Sequence, residues 1–288
     1  MQKLWRSVKN SVPTKSNQQP VSSNNQPVTS IEVSYNHRPT NDRSGMHKYS
    51  ELLKNRLYGN GWLHPYRIFE NTIQQLIKPG GVILDAGCGR EASVLTKLNS
   101  LARLAVGVDL CALSATEAHS NIKLIRGDLV NLSLKNESVD IVTSRSVLEH
   151  IKNPELVYEE VHRVLKPGGH FIFLTPNLFD YGSLLSLLVP NRLHPCVVRL
   201  TEGRKEIDTF PAFYKSNTEG LIRQLGEKVG LRVCEMKYLG QYPSYLMFNC
   251  LLFGIGALYD KLISSTELLR KLRGWILTVM EKEIWQTE

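Results

Sequence analysis

Cysteine is scarce in this chain and poorly placed for structural use. The five residues (Cys88, Cys111, Cys196, Cys234, Cys250) are odd in number and none is spaced C-x-x-C from another. That excludes a zinc knuckle and a fully paired disulfide framework, and fits a reducing cytoplasm. No apolar stretch of secretory type opens the chain, no repeat or heptad array recurs, and no apolar run reaches the about 20 residues that span a bilayer. Acids are missing from the start, with none before Glu32. Residues 1–48 hold seven Lys/Arg against two Asp/Glu, so +5 of the net +8 belongs to that segment. The remainder lacks the dense basic stripe that neutralising nucleic-acid phosphates requires.

The same opening segment is rich in Asn, Ser, Gln, Thr and Pro and poor in large apolar side chains. Burial there cannot offset the entropy of ordering, so residues 1–46 are read as a disordered basic tail. Leu4, Trp5, Val8 and Val12 beside Lys3, Arg6 and Lys9 would suit a short amphipathic helix at an anionic surface, and the lack of acids would suit a transit peptide. A solvated leader is preferred to both. The other residues, 47–288, suffice for one sizeable core.

Helices are predicted over Tyr49–Leu57 and Pro65–Ile77, the second with Ile68, Phe69, Ile73 and Leu76 on one side. Short apolar runs follow at Val82–Ala86, Leu104–Asp109, Ile122–Gly127, Val139–Thr143 and Phe171–Leu174, spaced by helical stretches. That alternation implies βαβ units and a mostly parallel sheet. The helix before the fifth run is marked by Asn153 as N-cap and Pro154 in the first turn, with Pro167, Gly168 and Gly169 ending it. Another helix starts near Thr218 and stops at Gly230, after which Leu231–Tyr238 and Trp275–Met280 read as an antiparallel pair closing the sheet. Two stretches break the alternation, about 178–214 and 240–273, and are read as insertions above the site.

Val82 to Gly89 is a strand running into a glycine turn, where missing β-carbons let backbone amides approach a ligand. Asp109 ends the next strand, twenty residues after Gly89, where an acid can accept hydrogen bonds from a ribose diol. Gly87, Gly89 and Ala92 also satisfy the dinucleotide pattern G-x-G-x-x-A, so the choice of nucleotide turns on charge. Asp85, Asp109 and Asp128 each end a strand and would face one crevice, which repels a pyrophosphate and suits a cation. S-adenosylmethionine carries a sulfonium and an ammonium and no phosphate. Asp85 would hold its amino-acid end, Asp109 the ribose hydroxyls and Asp128 the adenine amino group.

At this point the chain resembles the class I S-adenosylmethionine-dependent methyltransferases, type 11 group, which includes quinone-biosynthesis enzymes. The residues that carry the resemblance are Val82–Gly89, Gly107-Val108-Asp109, Gly127-Asp128, Val139-Asp140-Ile141-Val142, Leu148-Glu149-His150-Ile151 and Arg163 to Gly169. It covers residues 65–178 clearly and 211–239 more loosely. It implies a Rossmann-like α/β fold whose seven-stranded sheet has the order 3-2-1-4-5-7-6, the last strand antiparallel. It also implies that Asp85, Gly87 and Gly89 surround the methionine moiety, Asp109 with Leu110 the ribose, and Asp128 with Leu129 the adenine. Ser144 to Ser146 would form the rim beside the transferable methyl. Glu91 stands where many members have a third glycine, so its side chain must point outward or the turn is tighter. Some quinone O-methyltransferases carry a metal-binding acid three residues before the Glu-His pair; here that position is Ser146, and no metal is expected.

Methyl transfer is an in-line displacement at carbon that demands proximity and a deprotonated or neutral acceptor atom. For a hydroxyl acceptor His150 is the candidate general base, since imidazole titrates near neutrality, with a structural histidine as the plain alternative. Glu149 would orient it, and Asn177 or Tyr181, just past the fifth strand, would touch the acceptor. His170 begins that strand, at the far edge, and is given no role. Tyr245–Tyr259 is fifteen residues with Asn249 as its one clearly polar side chain, followed by Leu268, Leu269 and Leu272 among Arg270, Lys271 and Arg273. A buried helix or dimer face is the plain reading, and a lid or surface anchor over an apolar acceptor the sharper one. With Leu184–Val189 as a second apolar run, the expectation is an apolar, lipid-like acceptor and peripheral membrane contact. An RNA methyltransferase and a catalytically silent S-adenosylmethionine-binding module are the rival readings.

Overall fold

The computed structural model describes residues 45–59, 61–111, 120–188 and 210–284. The expected tail up to residue 44, and residues 189–209 of the first insertion, lie outside the described residues. The elements are α1 (Gly45–Leu57), α2 (Pro65–Leu76), β1 (Gly81–Ala86), α3 (Ser93–Leu98), β2 (Ala102–Asp109), β3 (Ile122–Arg126), β4 (Val139–Arg145) and α4 (Pro154–Val164). Then come β5 (Leu165–Pro176), α5 (Tyr181–Leu188), α6 (Glu219–Val229), β6 (Leu231–Leu239), α7 (Cys250–Ser264) and β7 (Trp275–Lys282). They build one seven-stranded sheet in the order β3-β2-β1-β4-β5-β7-β6. The pairs from β3 to β5 are parallel, and β7 lies antiparallel between β5 and β6.

Strand alternation sorts the apolar side chains onto two faces. Leu84, Val106, Val142, Phe171 and Phe173 pack under α4 and α6 with Val157, Tyr158, Val161, Ile222 and Leu225. Ile83, Ala105, Ile141, Ile172 and Leu174 pack on the other side, against Phe69 and Ile73 of α2 and Val94, Leu95 and Leu98 of α3. Because both faces are covered, β1 is buried along its whole length, which is why it reads as a continuous apolar run rather than an alternating one.

Local signals set most boundaries. Pro65 opens α2, where His64 Nδ1 accepts the Tyr66 amide at 3.2 Å. Thr218 caps α6 through the Leu221 amide, and Gly230, at φ 81°, closes it in the left-handed region. The fifth strand corrects the sequence reading. Asn153 stands at the N-cap of α4, but its side chain makes no capping bond. The helix ends at Val164, and Pro167, Gly168 and Gly169, expected as its terminators, lie inside β5. Val139 pairs with Leu165 and Ile141 with His170, so these residues form an irregularity opposite Asp140. Pairing starts there because the Glu137 and Ser138 amides donate to Arg163 and Val164 carbonyls, leaving no further helical turn for those carbonyls to join.

Helix α7 is buried on one side only. Phe253, Ala257 and Ile263 face inward with Gly256 and Asp260, and Tyr58 and Met247 complete a small third core. On the opposite side Leu251 and Leu258 are each 73% exposed, Ile255 60% and Leu262 59%. The greasy run is therefore neither wholly internal nor wholly free. Among the described residues no helix is long and apolar enough to cross a membrane.

The carboxyl ends of the parallel strands meet where β1 sits between β2 and β4, the topological switch at which such sheets bind ligands. Just past β5, Asn177 is fully buried and committed to the backbone. Its Nδ2 donates to the Lys271 and Arg273 carbonyls at 2.7 and 2.8 Å, and its Oδ1 accepts the Phe179 amide at 3.2 Å. It staples the sheet to the turn before β7, which accounts for this side chain without a ligand. Replacing Asn177 by Ala strands those groups, and we expect a loss of about 2 kcal/mol in urea denaturation with the m-value unchanged.

Candidate cofactor and acceptor crevice

The turn after β1 is shaped by two glycines. Gly87 has φ 81°, and a β-carbon there would lie 2.3 Å from Val147 Cγ2. Gly89 has φ 69° with nothing within 4 Å of where its β-carbon would stand. One glycine lets the chain turn, and the other leaves space over the turn where a ligand can reach backbone amides. The next left-handed residue is Ala92, at φ 43°. Glu91 is exposed, so of the two outcomes expected at this position the structure shows the outward side chain.

Asp109 secures this turn from β2. Its Oδ2 accepts the Gly89 amide at 2.8 Å and its Oδ1 the Cys111 amide at 2.8 Å. A carboxylate has about four lone-pair sites, so acceptor capacity remains for a diol. Leu110, 60% exposed, follows it at the strand tip. Asp128, past β3, is exposed and accepts the Val130 amide at 3.2 Å, while its neighbour Leu129 is buried. Asp85, Asp109 and Asp128 thus all lie at the carboxyl end of the sheet.

Asp85 differs from the other two in being almost out of water, 1% exposed. Thr143 donates to its Oδ1 at 2.9 Å, whereas its Oδ2 has no hydrogen-bond partner among the described residues. Burial raises its pKa to about 6, opposed by the Thr143 bond and the Arg145 charge and assisted by Asp109. An orphaned buried carboxylate oxygen beside an open glycine turn fits the cationic amino-acid end of S-adenosylmethionine, because a bound cation both pairs that oxygen and favours its ionised form. Ser144, named at the rim, is buried, and its hydroxyl donates to the Ala86 carbonyl at 2.9 Å, holding β4 to β1. Ser146, at φ 56°, carries the rim contact instead: its Oγ lies 3.2 Å from the Tyr66 hydroxyl of α2.

The second half of the crevice lies past β4. Leu148–His150 form one short 3-10 turn, and Glu149 in it is 5% exposed. Thr175 Oγ1 donates to its Oε2 at 3.2 Å, and Asn217 Nδ2 donates to Thr175 at 2.7 Å. The Glu149 carbonyl accepts the Phe213 and Tyr214 amides. His150 Nδ1 lies 3.0 Å from the Pro211 carbonyl and its Nε2 3.9 Å from Glu149 Oε1. The Glu149-His150 pair therefore holds the segment that returns from the first insertion. Tyr181 begins α5 and packs edge-on to Tyr259 of α7, with ring centroids 5.4 Å apart. Burial and the Asp180 and Asp260 carboxylates push its phenol pKa upward, which favours the protonated form. Thr143, Thr175, Asn217 and Tyr66 escaped the sequence reading, since nothing local in their neighbourhoods distinguishes them.

The family described as a methyltransferase domain, of the type 11 group, matches residues 84–173. A probable S-adenosylmethionine-dependent methyltransferase of Mycolicibacterium smegmatis is 37% identical over 108 residues, 36% of this chain and 41% of that protein. A ubiquinone biosynthesis O-methyltransferase of Vibrio atlanticus is 26% identical over 152 residues, 46% of this chain and 63% of that protein. The chain thus spans less than two thirds of the length of these curated relatives. Among solved structures, the [4+2]-cyclase SpnF superposes with a TM-score of 0.52 at 13% identity, covering 83% of this chain and 94% of that one, a likeness of fold.

Burial raises the Glu149 pKa to about 7, against which the Thr175 bond works. A carboxyl whose folded-state value exceeds its unfolded one stabilises the fold at low pH, and that contribution is lost as pH rises from the ordinary Glu range through about 7. Glu149→Gln removes this loss. Its thermal midpoint is expected a few degrees above wild type at pH 8, with the gap closing below pH 5; an equal offset at both pH values would contradict a neutral buried Glu149.

Proposed function

We propose that this chain moves the methyl group of S-adenosylmethionine to an oxygen of an apolar small molecule, a reading supported by the match of residues 84–173 to the methyltransferase domain of the type 11 group. The observation that carries the cofactor half is Asp85, a buried carboxylate with an orphaned oxygen beside the open Gly89 turn and Asp109. The cofactor supplies an activated methyl on a sulfonium. This chain's residues need only hold it, exclude water and take up the acceptor's proton. The likeness to the ubiquinone biosynthesis O-methyltransferase supports an apolar, quinone-like acceptor and oxygen as the receiving atom.

His150 is the base in this reading. The Pro211 carbonyl can only accept, so the Nδ1 facing it carries the proton, and the lone pair sits on Nε2. Glu149 Oε1 lies 3.9 Å from Nε2 and, in its ionised form above about pH 7, favours the imidazolium that forms when His150 takes the acceptor's proton.

The acceptor's route is argued from α7. Its outward stripe of Leu251, Ile255, Leu258 and Leu262 adjoins Leu268, 89% exposed, and the exposed basic residues Lys261, Arg270 and Lys271. Apolar residues beside lysine and arginine suit a helix lying on an anionic lipid surface, from which an apolar molecule would enter the crevice.

Incubation with methyl-labelled S-adenosylmethionine and fractionated host extract is expected to move label into the lipid-soluble fraction. Label in RNA or protein, or none anywhere, would count against this function. With the labelled acceptor in hand, His150→Gln should lower kcat about a hundredfold or more while leaving cofactor affinity unchanged. Ile255→Asp with Leu258→Asp should reduce sedimentation with phosphatidylcholine–phosphatidylserine vesicles at least about tenfold, each lost side chain forfeiting about 2 kcal/mol of burial. Unchanged sedimentation would remove the membrane route.

A further inference from the structure

Arg145 is the last residue of β4. Thr143 is the register partner of Asp85 and donates to it. Residues two apart on a strand share a face, so Arg145 lies on the same face as Asp85, one step further toward the strand tips. Its guanidinium is fixed by three contacts. NH2 donates to Ser93 Oγ at 2.8 Å, NH1 reaches Glu70 Oε1 at 3.3 Å, and the plane lies 4.5 Å from the centre of the Tyr66 ring. Ser93 opens α3 directly after the glycine turn, so these contacts hold the cation against that turn. Glu70 is itself approached by Lys97 at 2.7 Å and Arg67 at 3.4 Å, so three cationic side chains gather around one buried acid. Arg145 is 15% exposed, and of its five N–H groups two are engaged in hydrogen bonds among the described residues.

A carboxylate and a cation side by side on one sheet face match the zwitterion of an α-amino acid, whose ammonium and carboxylate share one carbon. The structure assigns Arg145 as the residue that holds the α-carboxylate of the ligand's amino-acid end, paired with Asp85 at its ammonium. The assignment rests on the proposed use of S-adenosylmethionine and names the second charge of that same site. A guanidinium is suited to it because its planar fork can grip a carboxylate in a setting where water competes little.

Calorimetric titration of the whole chain with two nucleosides tests this. S-adenosylhomocysteine carries the amino-acid end, and 5′-methylthioadenosine lacks it. Arg145→Leu is expected to weaken S-adenosylhomocysteine about thirtyfold while moving 5′-methylthioadenosine by less than about twofold. Arg145→Lys, which keeps the charge and loses the fork, should fall between. Wild type supplies a check that needs no variant: decarboxylated S-adenosylmethionine should bind about thirtyfold more weakly than S-adenosylmethionine. Equal weakening of both nucleosides by Arg145→Leu would mean that Arg145 acts only through Glu70 and the fold, and would overturn the assignment. Unchanged affinity for both would overturn it too, leaving Arg145 for an acid carried by the acceptor. Failure of wild type to bind either nucleoside would instead remove the cofactor reading on which the assignment rests.

Discussion

A carboxyl group held nearly out of water at the end of a central parallel strand is the constraint on which this molecule turns. Asp85 is buried because β1 lies in a sheet covered on both faces, and Thr143, in register on β4, satisfies one oxygen while the other has no hydrogen-bond partner among the described residues. Such a group is costly unless something positive meets it. The parallel register that buries it also brings Asp109 to the glycine turn and Arg145 to its flank, so the cost falls where a charged ligand can relieve it.

The crevice has two halves with different physics. On the β1–β2 side, fixed backbone amides, two glycines of positive φ, the half-buried Asp109 and the exposed Asp128 form a polar cradle. On the β4–β5 side a buried Glu149, braced by Thr175 and Asn217, holds His150 and the return of the first insertion. The first half favours a charged nucleoside. The second is drier, with a carboxyl that stays protonated to about pH 7, and suits a less polar molecule whose proton must be taken up.

Much of the scaffold was legible before the fold was known. The seven apolar runs became the seven strands, the one-sided stripe of Ile68, Phe69, Ile73 and Leu76 placed α2, and Thr218 with Gly230 placed α6. The miss at Pro167 to Gly169 has a clear cause: those residues break helices in isolation, yet here Leu165 and His170 on either side pair with β4, so that they lie within the strand as an irregularity. Asn177 reads as a ligand contact because it follows β5 at the crevice end, but its amide is spent on two carbonyls 94 and 96 residues further along the chain, a demand invisible locally. Arg145 could have been found by counting two residues from Thr143, had the pairing of Thr143 with Asp85 been known.

Local sequence determined where strands and helices lie, which strand ends carry acids, and that the opening segment is basic and poor in apolar side chains, since these follow from side-chain periodicity and backbone preference within a few residues. Only the tertiary structure decided which acid is desolvated, which asparagine is committed, and that α7 buries one side and exposes the other. Burial and hydrogen-bond partnership are properties of pairs brought together across the chain. They depend on register and packing between distant segments, which no window of neighbouring residues contains.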